Sequence, residues 1–358
     1  MKNYDVCIIG GGASGLAAAA SLDDGINACL LEKNSTPGKK VSASGGGRCN
    51  ITNRAAPGAE ETVEFFRGIG LELYCDEEGR YYPYSNQASD VTEALLQSIK
   101  NKNTQIYTEF PVRSISTEGG KFFVYGDEGA VCADNLIIAA GGKSYPQLGT
   151  TGDGYAMARS LGHAVRRVYP VLTPVECYDM PDFRGIRCRG RVTLYKDGIK
   201  VCSEAGEIQF TADGISGICV FNITMGIRAE DGEKPEAAMR RYEMSIDFAP
   251  DFSEEEILSR KSSFGIVTGR IAEDVAPEHL KDYRLKVKGT KGWKQAQCTA
   301  GGVDLSELDA ETMESEILPG LYFAGEVLDI QFKCGGFNLQ NAWQTGRKAA
   351  AAINRKYR

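Results

Sequence analysis

Tyr4-Asp5-Val6-Cys7-Ile8-Ile9-Gly10-Gly11-Gly12-Ala13-Ser14-Gly15 is the stretch that decides the fold of this 358-residue chain. The apolar run to Ile9 predicts a short buried strand, and Gly10-x-Gly12-x-x-Gly15 predicts a turn into a helix over Leu16 to Leu22. The three glycines do different things. Gly10 permits the tight turn, Gly12 lets the backbone approach a pyrophosphate, and Gly15 lets helix and strand pack closely. The helix start, at Ala13 and Ser14, offers unpaired amides to an anion. Asn27 to Leu31 reads as a second buried strand, and Glu32 at its end stands where a ribose would need a carboxylate, with Lys33 directly after it. A GxGxxG alone is a weak signal in a chain with 42 glycines. Placed between strand and helix, with the acid at this distance, it is a strong one, although it leaves open which dinucleotide binds.

The length exceeds one typical domain and suits a nucleotide domain plus one insertion or appended domain. Net charge is −7, from 41 basic and 48 acidic residues. The basic residues are scattered, so no nucleic-acid partner is expected. Asp5 and the glycine turn interrupt the N-terminal apolar stretch, and no later segment approaches a twenty-residue apolar span, so a soluble, cytoplasmic protein without a membrane partner is expected. The 11 cysteines contain no CxxC pair and read as reduced thiols rather than a disulfide framework or zinc site. His163 and His279 are the only histidines, which argues against a His-rich metal centre or a Ser-His-Asp triad, and no metal is expected. Oligomeric state is left open.

Further along, helices are predicted around Glu61 to Arg67 and Ser89 to Lys100, with a hairpin over Leu71 to Tyr82 turned at Asp76 to Gly79. Strands are predicted near Gln105 to Glu109, Val112 to Ser116, Lys121 to Tyr125 and Ala130 to Cys132. Asn135 to Ala140 reads as a buried strand ending at Gly141, and a helix follows from Gly152 to Leu161. From about Val171 the pattern becomes strand-rich, with Arg191 to Tyr195, Lys200 to Ser203, Ile208 to Thr211 and Met244 to Phe248 as strands. Ser253 to Glu273 is predicted helical, with Ser253 and Glu256 at capping-box spacing. The expected organisation is an α/β dinucleotide domain from residues 1–170 and 296–358, interrupted by a β-rich cap domain at 171–295 that carries a short helical part.

The C-terminal region chooses between dinucleotides. Pro319-Gly320-Leu321-Tyr322-Phe323-Ala324-Gly325-Glu326 is a buried strand ending in glycine and acid, and Cys334-Gly335-Gly336-Phe337-Asn338-Leu339-Gln340 opens a terminal helix. A carboxylate at such a strand end can accept from a ribityl chain, and a glycine-opened helix aims amides at the flavin pyrimidine edge, where reduction gathers negative charge. A nicotinamide dehydrogenase has no use for this return, so FAD is expected rather than NAD. Between the halves lies Pro37-Gly38-Lys39-Lys40-Val41-Ser42-Ala43-Ser44-Gly45-Gly46-Gly47-Arg48-Cys49-Asn50-Ile51-Thr52-Asn53, too polar and glycine-rich for a core element. Three successive glycines can lie flat against a planar ring, while Arg48 and Asn50 can bond its heteroatoms. Cys49 is read as a packing or flavin-contact thiol.

SGGGRCNITN (Ser44 to Asn53), GRYYPYSNQASDV (Gly79 to Val91), AAGGKSYPQLGTTGDGY (Ala139 to Tyr155), GEIQFTADGISG (Gly206 to Gly217), TAGGV (Thr299 to Val303) and TMESEILPGLYFAGEVLD with GGFNLQNAW resemble the HI0933-like flavoproteins, also called the BaiN/RdsA or aminoacetone-oxidase-like FAD-binding family. The resemblance implies a glutathione-reductase-type Rossmann-like FAD domain with a smaller β-rich insertion. It implies that Glu32 binds the adenosine ribose, Lys39 lies near the phosphates and Val112 meets adenine through its backbone. Gly45 through Asn50 would line the isoalloxazine, Glu326, Asn338 and Leu339 would hold the ribityl and pyrimidine side, and Ala140, Gly141, Gly325, Gly336 and Phe337 are further cofactor-binding candidates. Two departures weaken any carry-over of substrate: the inserted helical part is short, and Asp329-Ile330-Gln331-Phe332-Lys333-Cys334 differs from the more common form after the acid.

The expected chemistry is hydride transfer through flavin N5 to or from a small organic substrate, including a conjugated C=C bond of a steroid-like compound, with NADH or NADPH as a transient reductant. A tRNA-modifying flavoprotein and a flavin-binding electron carrier or regulatory module are the alternatives. Tyr81, Tyr82, Tyr145 and Arg184 are candidate proton donors, each read as structural before catalytic, and no catalytic residue is assigned.

Overall fold

The computed structural model describes every residue except Glu128 and Asp231. It comprises two units, one of Met1–Val168 with Cys298–Arg358 and the other of Tyr169–Gln297. In the first unit, β1 (Lys2–Ile9) lies inside a seven-stranded sheet. Its side chains alternate between faces. Val6 and Ile8 enter a core with Leu16, Ala17 and Trp343, whereas Cys7 and Ile9 enter a second core with Phe122, Tyr155 and Phe323. β2 (Ala28–Leu31) runs parallel to it, Val6 opposite Ala28 and Ile8 opposite Leu30, and divides its side chains in the same way. Strands buried on both faces have no solvent side to mark with polar residues, which is why Val6 to Ile9 and Ala28 to Leu31 read as unbroken apolar runs.

The sheet order is Thr104–Tyr107, β2, β1, Ala130–Ile138, Lys121–Gly126, Val112–Glu118. Leu321–Phe323 joins beside Ala130–Ile138 in parallel, Leu321 opposite Leu136 and Phe323 opposite Ile138. The first helix, α1 (Ala13–Ser21), begins three residues before the predicted Leu16, because the turn residues after Gly12 are already helical. Its small side chains let neighbours approach closely. A Cβ at Gly15 would strike the Gly10 carbonyl oxygen, and one at Gly346, in the terminal helix Phe337–Tyr357, would strike the Ser14 carbonyl oxygen. A small sheet of Thr52–Asn53, Arg80–Pro83 and Leu73–Cys75 takes in the end of the glycine-rich stretch.

The second unit is built on a closed barrel ordered Val175–Cys177, Gly214–Ser216, Ile199–Phe210, Arg187–Lys196, Tyr242–Asp247, Tyr283–Thr290. Phe183, Phe210 and Phe248 pack in its core. Two expectations need correction. Lys200 to Ser203 and Ile208 to Thr211 are not separate strands: Arg187–Lys196 pairs along Ile199–Phe210 with one register shift between Leu194 and Tyr195, and the polar residues between the two apolar stretches remain in the ladder. Ser253 to Glu273 is not one helical segment. The capping box at Ser253 and Glu256 forms, but the helix ends at Leu258, and helix resumes only over Gly269–Asp274. Ser262, Ser263 and Gly265 lie between and disfavour helix. Among the described residues, no helix is long and apolar enough to cross a membrane.

Candidate functional site

α1 opens on Gly12, and no side chain among the described residues caps it. A methyl group at Gly12 would meet no atom within 4 Å, so the approach to the first amides of the helix is clear. An uncapped helix start with open space before it suits a pyrophosphate. Glu32 is buried at the end of β2. Its Oε2 accepts from the Gly11 amide at 2.8 Å, and its Oε1 from the Asn34 amide and Nδ2, both at 2.7 Å. An ionised carboxylate has about four acceptor sites, so one remains on Oε2. The Phe110 amide donates to the Glu32 carbonyl, which brings the segment leading into Val112 alongside. The Lys33 ammonium pairs with Asp153 at 2.5 Å and donates to Thr151 at 2.7 Å. Lys39 borders a cavity of 510 Å³ with Thr36, Pro37, Ser42, Thr92 and Leu148.

The glycine-rich stretch has more structure than a polar loop. Ser44–Gly47 forms a short turn in which Gly45, Gly46 and Gly47 take φ of 57°, 65° and 86°. Gly45 through Arg48 are exposed, whereas Val41, Cys49 and Ile51 are buried and anchor the stretch. Burial pushes the Cys49 thiol up to about 12, with a hydrogen bond from Ser44 opposing, so the group is a thiol rather than a thiolate. The Arg48 guanidinium lies 4.7 Å over the Tyr82 ring, itself stacked on Tyr74 at 5.8 Å.

This stretch is fastened to the start of the terminal helix. Trp343 Nε1 donates to the Ile51 carbonyl at 3.0 Å, Thr52 Oγ1 donates to Gln340 Oε1 at 2.7 Å, and Asn53 Nδ2 donates to the Gly335 carbonyl at 3.1 Å. Asn50 Oδ1 is buried with no partner among the described residues, and a Cβ on Gly336 would lie 2.7 Å from it. An orphaned amide beside a glycine-opened helix start is a place for a ligand hydrogen bond. Gln331 Oε1, in the segment that departs from the family pattern, is buried and likewise has no partner among the described residues.

Asn338 turns inward. Its Oδ1 accepts from the Phe332 amide at 2.9 Å and its Nδ2 donates to the Phe332 carbonyl at 2.8 Å, so its side chain holds both backbone groups of that residue. The neighbouring Phe337 ring lies 3.3 Å from a Cβ built on Gly335, and Leu339 packs on the core. Glu326 is held from both sides. Its Oε1 accepts from Ser144 Oγ at 2.7 Å and the Thr299 amide at 2.8 Å, and its Oε2 from Lys40 Nζ at 2.5 Å. Gly141, at φ 73°, follows Ala140 and turns the chain toward Lys143, whose amide donates to Thr299 Oγ1 at 2.8 Å. Gly325 faces Ser14, whose Oγ donates to the Ala324 carbonyl at 3.2 Å. Sequence reasoning alone does not single out Lys40, Ser144 or Thr299 as site residues. Tyr81 and Tyr82 stand on the small sheet beside Arg48, Tyr145 takes a left-handed φ of 56°, and Arg184 belongs to the second unit.

The open helix start, the acid at the end of β2, the exposed glycine turn and the orphaned Asn50 amide fit FAD. Comparison with known proteins agrees. The model of the HI0933-like protein Rossmann domain matches residues 4–59 and 58–352. The 3-dehydro-bile acid delta(4,6)-reductase of Clostridium scindens is 32% identical over 96% of this chain and 98% of its own length. The ribosomal RNA dihydrouridine synthase of Escherichia coli is 27% identical over 96% of each chain. The solved 3-ketosteroid delta1-dehydrogenase from Sterolibacterium denitrificans shares the fold at a TM-score of 0.56 and 13% identity, over 99% of this chain and 100% of that one. From its first strand to its terminal helix, this chain belongs to the HI0933-like Rossmann family and is an FAD-dependent oxidoreductase.

Proposed function

We propose that this oxidoreductase reduces a conjugated carbon–carbon double bond in a flat, steroid-like substrate. The observation that carries the reading is full-length similarity, at 32% identity, to a reductase of 3-dehydro-bile acids. FAD, when bound, supplies two-electron hydride chemistry at its N5. The chain would hold it by the amides of Ala13 and Ser14, the carboxylates of Glu32 and Glu326, the turn Gly45 to Arg48, and Asn50. The exposed glycine turn offers no side chain to obstruct a planar ring. NADH or NADPH is the proposed reductant, reaching the site without a second GxGxxG unit. A cytoplasmic location fits eleven free thiols.

A second reading has its own support. The E. coli and Haemophilus influenzae ribosomal RNA dihydrouridine synthases are 27% and 26% identical along nearly the whole chain. Making dihydrouridine also saturates a conjugated C=C bond, so both readings share a reaction and differ in what presents the bond. The test is anaerobic bleaching of the flavin with NADH and NADPH, followed by reoxidation with a 3-oxo-4,6-diene steroid or with unmodified RNA. Reoxidation by the steroid supports the first reading, and reoxidation by RNA alone replaces it with the second. Reoxidation by neither favours an electron carrier.

A further inference from the structure

Lys40 and Glu326 stand 286 positions apart in sequence and meet at 2.5 Å. Lys40 Nζ also donates to Ser144 Oγ at 2.6 Å. Ser144 and Thr299, which both bind Glu326 Oε1, are completely buried, so the carboxylate cannot rotate away. The hydrogen-bonding capacity of the pair can be counted. An ammonium has three N–H donors and a carboxylate about four acceptor sites. Oε1 is filled by Ser144 and Thr299, while Oε2 takes only Lys40 and keeps one site. Lys40 spends two N–H groups on Glu326 and Ser144 and keeps one without a partner among the described residues. The Lys40 and Glu326 side chains are 26% and 19% exposed, so the spare donor and spare acceptor are reachable.

One spare donor beside one spare acceptor is complementary to a hydroxyl, which donates to the carboxylate while accepting from the ammonium. The position of the pair narrows the occupant. Glu326 follows Gly325 and Ala324, the residues that touch Ser14 in the first turn of α1, where a pyrophosphate would lie. We infer that Lys40 and Glu326 form a single fork that grips one hydroxyl of the FAD ribityl chain, with Lys40 a cofactor-binding residue in its own right. The inference concerns the cofactor alone and stands whichever substrate is reduced.

The test compares Lys40→Met, Lys40→Gln and Lys40→Arg with the wild-type holoenzyme. FAD dissociation is read by recovery of flavin fluorescence on dilution. ADP, which lacks the ribityl chain, is titrated calorimetrically into the full-length protein stripped of flavin. Loss of one charge-assisted contact is expected to weaken FAD by on the order of ten- to a hundredfold in the Met and Gln variants. ADP binding stays within twofold, and Arg recovers part of the loss. Adding Glu326→Gln to Lys40→Met is expected to weaken FAD by less than Glu326→Gln does alone in the wild type, because the two share one contact. FAD affinity within twofold of wild type in Lys40→Gln overturns the inference. An equal loss for ADP overturns it as well, by assigning Lys40 to the phosphates or to the fold. Failure of the wild type itself to retain FAD would instead reject the flavoprotein assignment.

Discussion

Replacing Trp343 by Phe is expected to loosen the cofactor site from behind. Trp343 is completely buried, its indole N–H donates to the Ile51 carbonyl at 3.0 Å, and its ring meets Phe66 edge-on at 5.2 Å. Phenylalanine keeps an aromatic contact but strands the carbonyl, which costs about 1–3 kcal/mol when buried. The smaller ring gives up roughly another 1–2 kcal/mol in lost burial and unfilled space. Together, about 2–5 kcal/mol is a large share of the ~5–15 kcal/mol that holds an ordinary domain. Ile51 lies between Asn50 and Thr52, so the loss falls on the segment that positions the glycine turn. Urea titration of the holoenzyme, followed by far-UV circular dichroism and by flavin release, should show a lower midpoint for the variant, with flavin leaving earlier still. A change under about 0.5 kcal/mol, the range of an ordinary surface substitution, together with unaltered flavin release would refute the reasoning.

Other outcomes follow from single residues. Gly12→Ala should leave the thermal melt of the flavin-free protein nearly unchanged, because no protein atom lies within 4 Å of the added methyl, yet weaken FAD. Gly15→Ala should lower that melt, because its methyl collides with the Gly10 carbonyl; equal effects of the two would contradict the geometry. Cys49 should resist iodoacetamide in the folded protein at pH 8, with its thiol pushed up to about 12 and its side chain buried, and Cys49→Ser should retain turnover. Mass spectrometry showing rapid alkylation of Cys49 would argue for a reactive thiol. His163 is buried, and burial holds its imidazole below the ordinary 6.5 despite Glu307 at 2.9 Å. The unfolded chain therefore binds a proton that the folded chain refuses, so stability is complete above pH 6.5 and declines as pH falls below it. His163→Gln should flatten that decline in urea midpoints measured between pH 5.5 and 7.5, and parallel profiles would count against it.

What is legible in the sequence is local. The glycine spacing, the acid at the end of β2 and the capping box at Ser253 each depend on residues within one turn or one strand–turn–helix unit, and each forms. Side-chain destinations are less legible because distant partners set them. Lys33 directly follows Glu32, and its ammonium pairs with Asp153, 120 residues on, a partner the local sequence does not reveal. Of the two lysines in Pro37-Gly38-Lys39-Lys40, the family resemblance points to the first. Both sit in the one-turn helix Lys39–Ser42, where successive side chains diverge by about 100°, and it is Lys40 that reaches Glu326. The side chain of Asn338, at a helix start, is held by both backbone groups of Phe332, six residues before it, a pairing its own position does not announce. The barrel strand Ile199–Phe210 reads as two because polar residues in mid-strand look like a turn until the partner strand is known.

The strand Leu321–Phe323 and the terminal helix Phe337–Tyr357 impose an order in time on this protein. During synthesis, Gly10 to Gly15 and the glycine turn emerge early, but the groups that fasten them, Glu326, Gln340 and Trp343, emerge after more than three hundred residues have already left the ribosome. The barrel unit can fold while its host waits with an open sheet edge beside Ala130–Ile138. Completion of the proposed flavin site is therefore expected among the last events in maturation. A nascent chain stalled before Leu321 would expose an apolar strand edge with no cofactor to close over it.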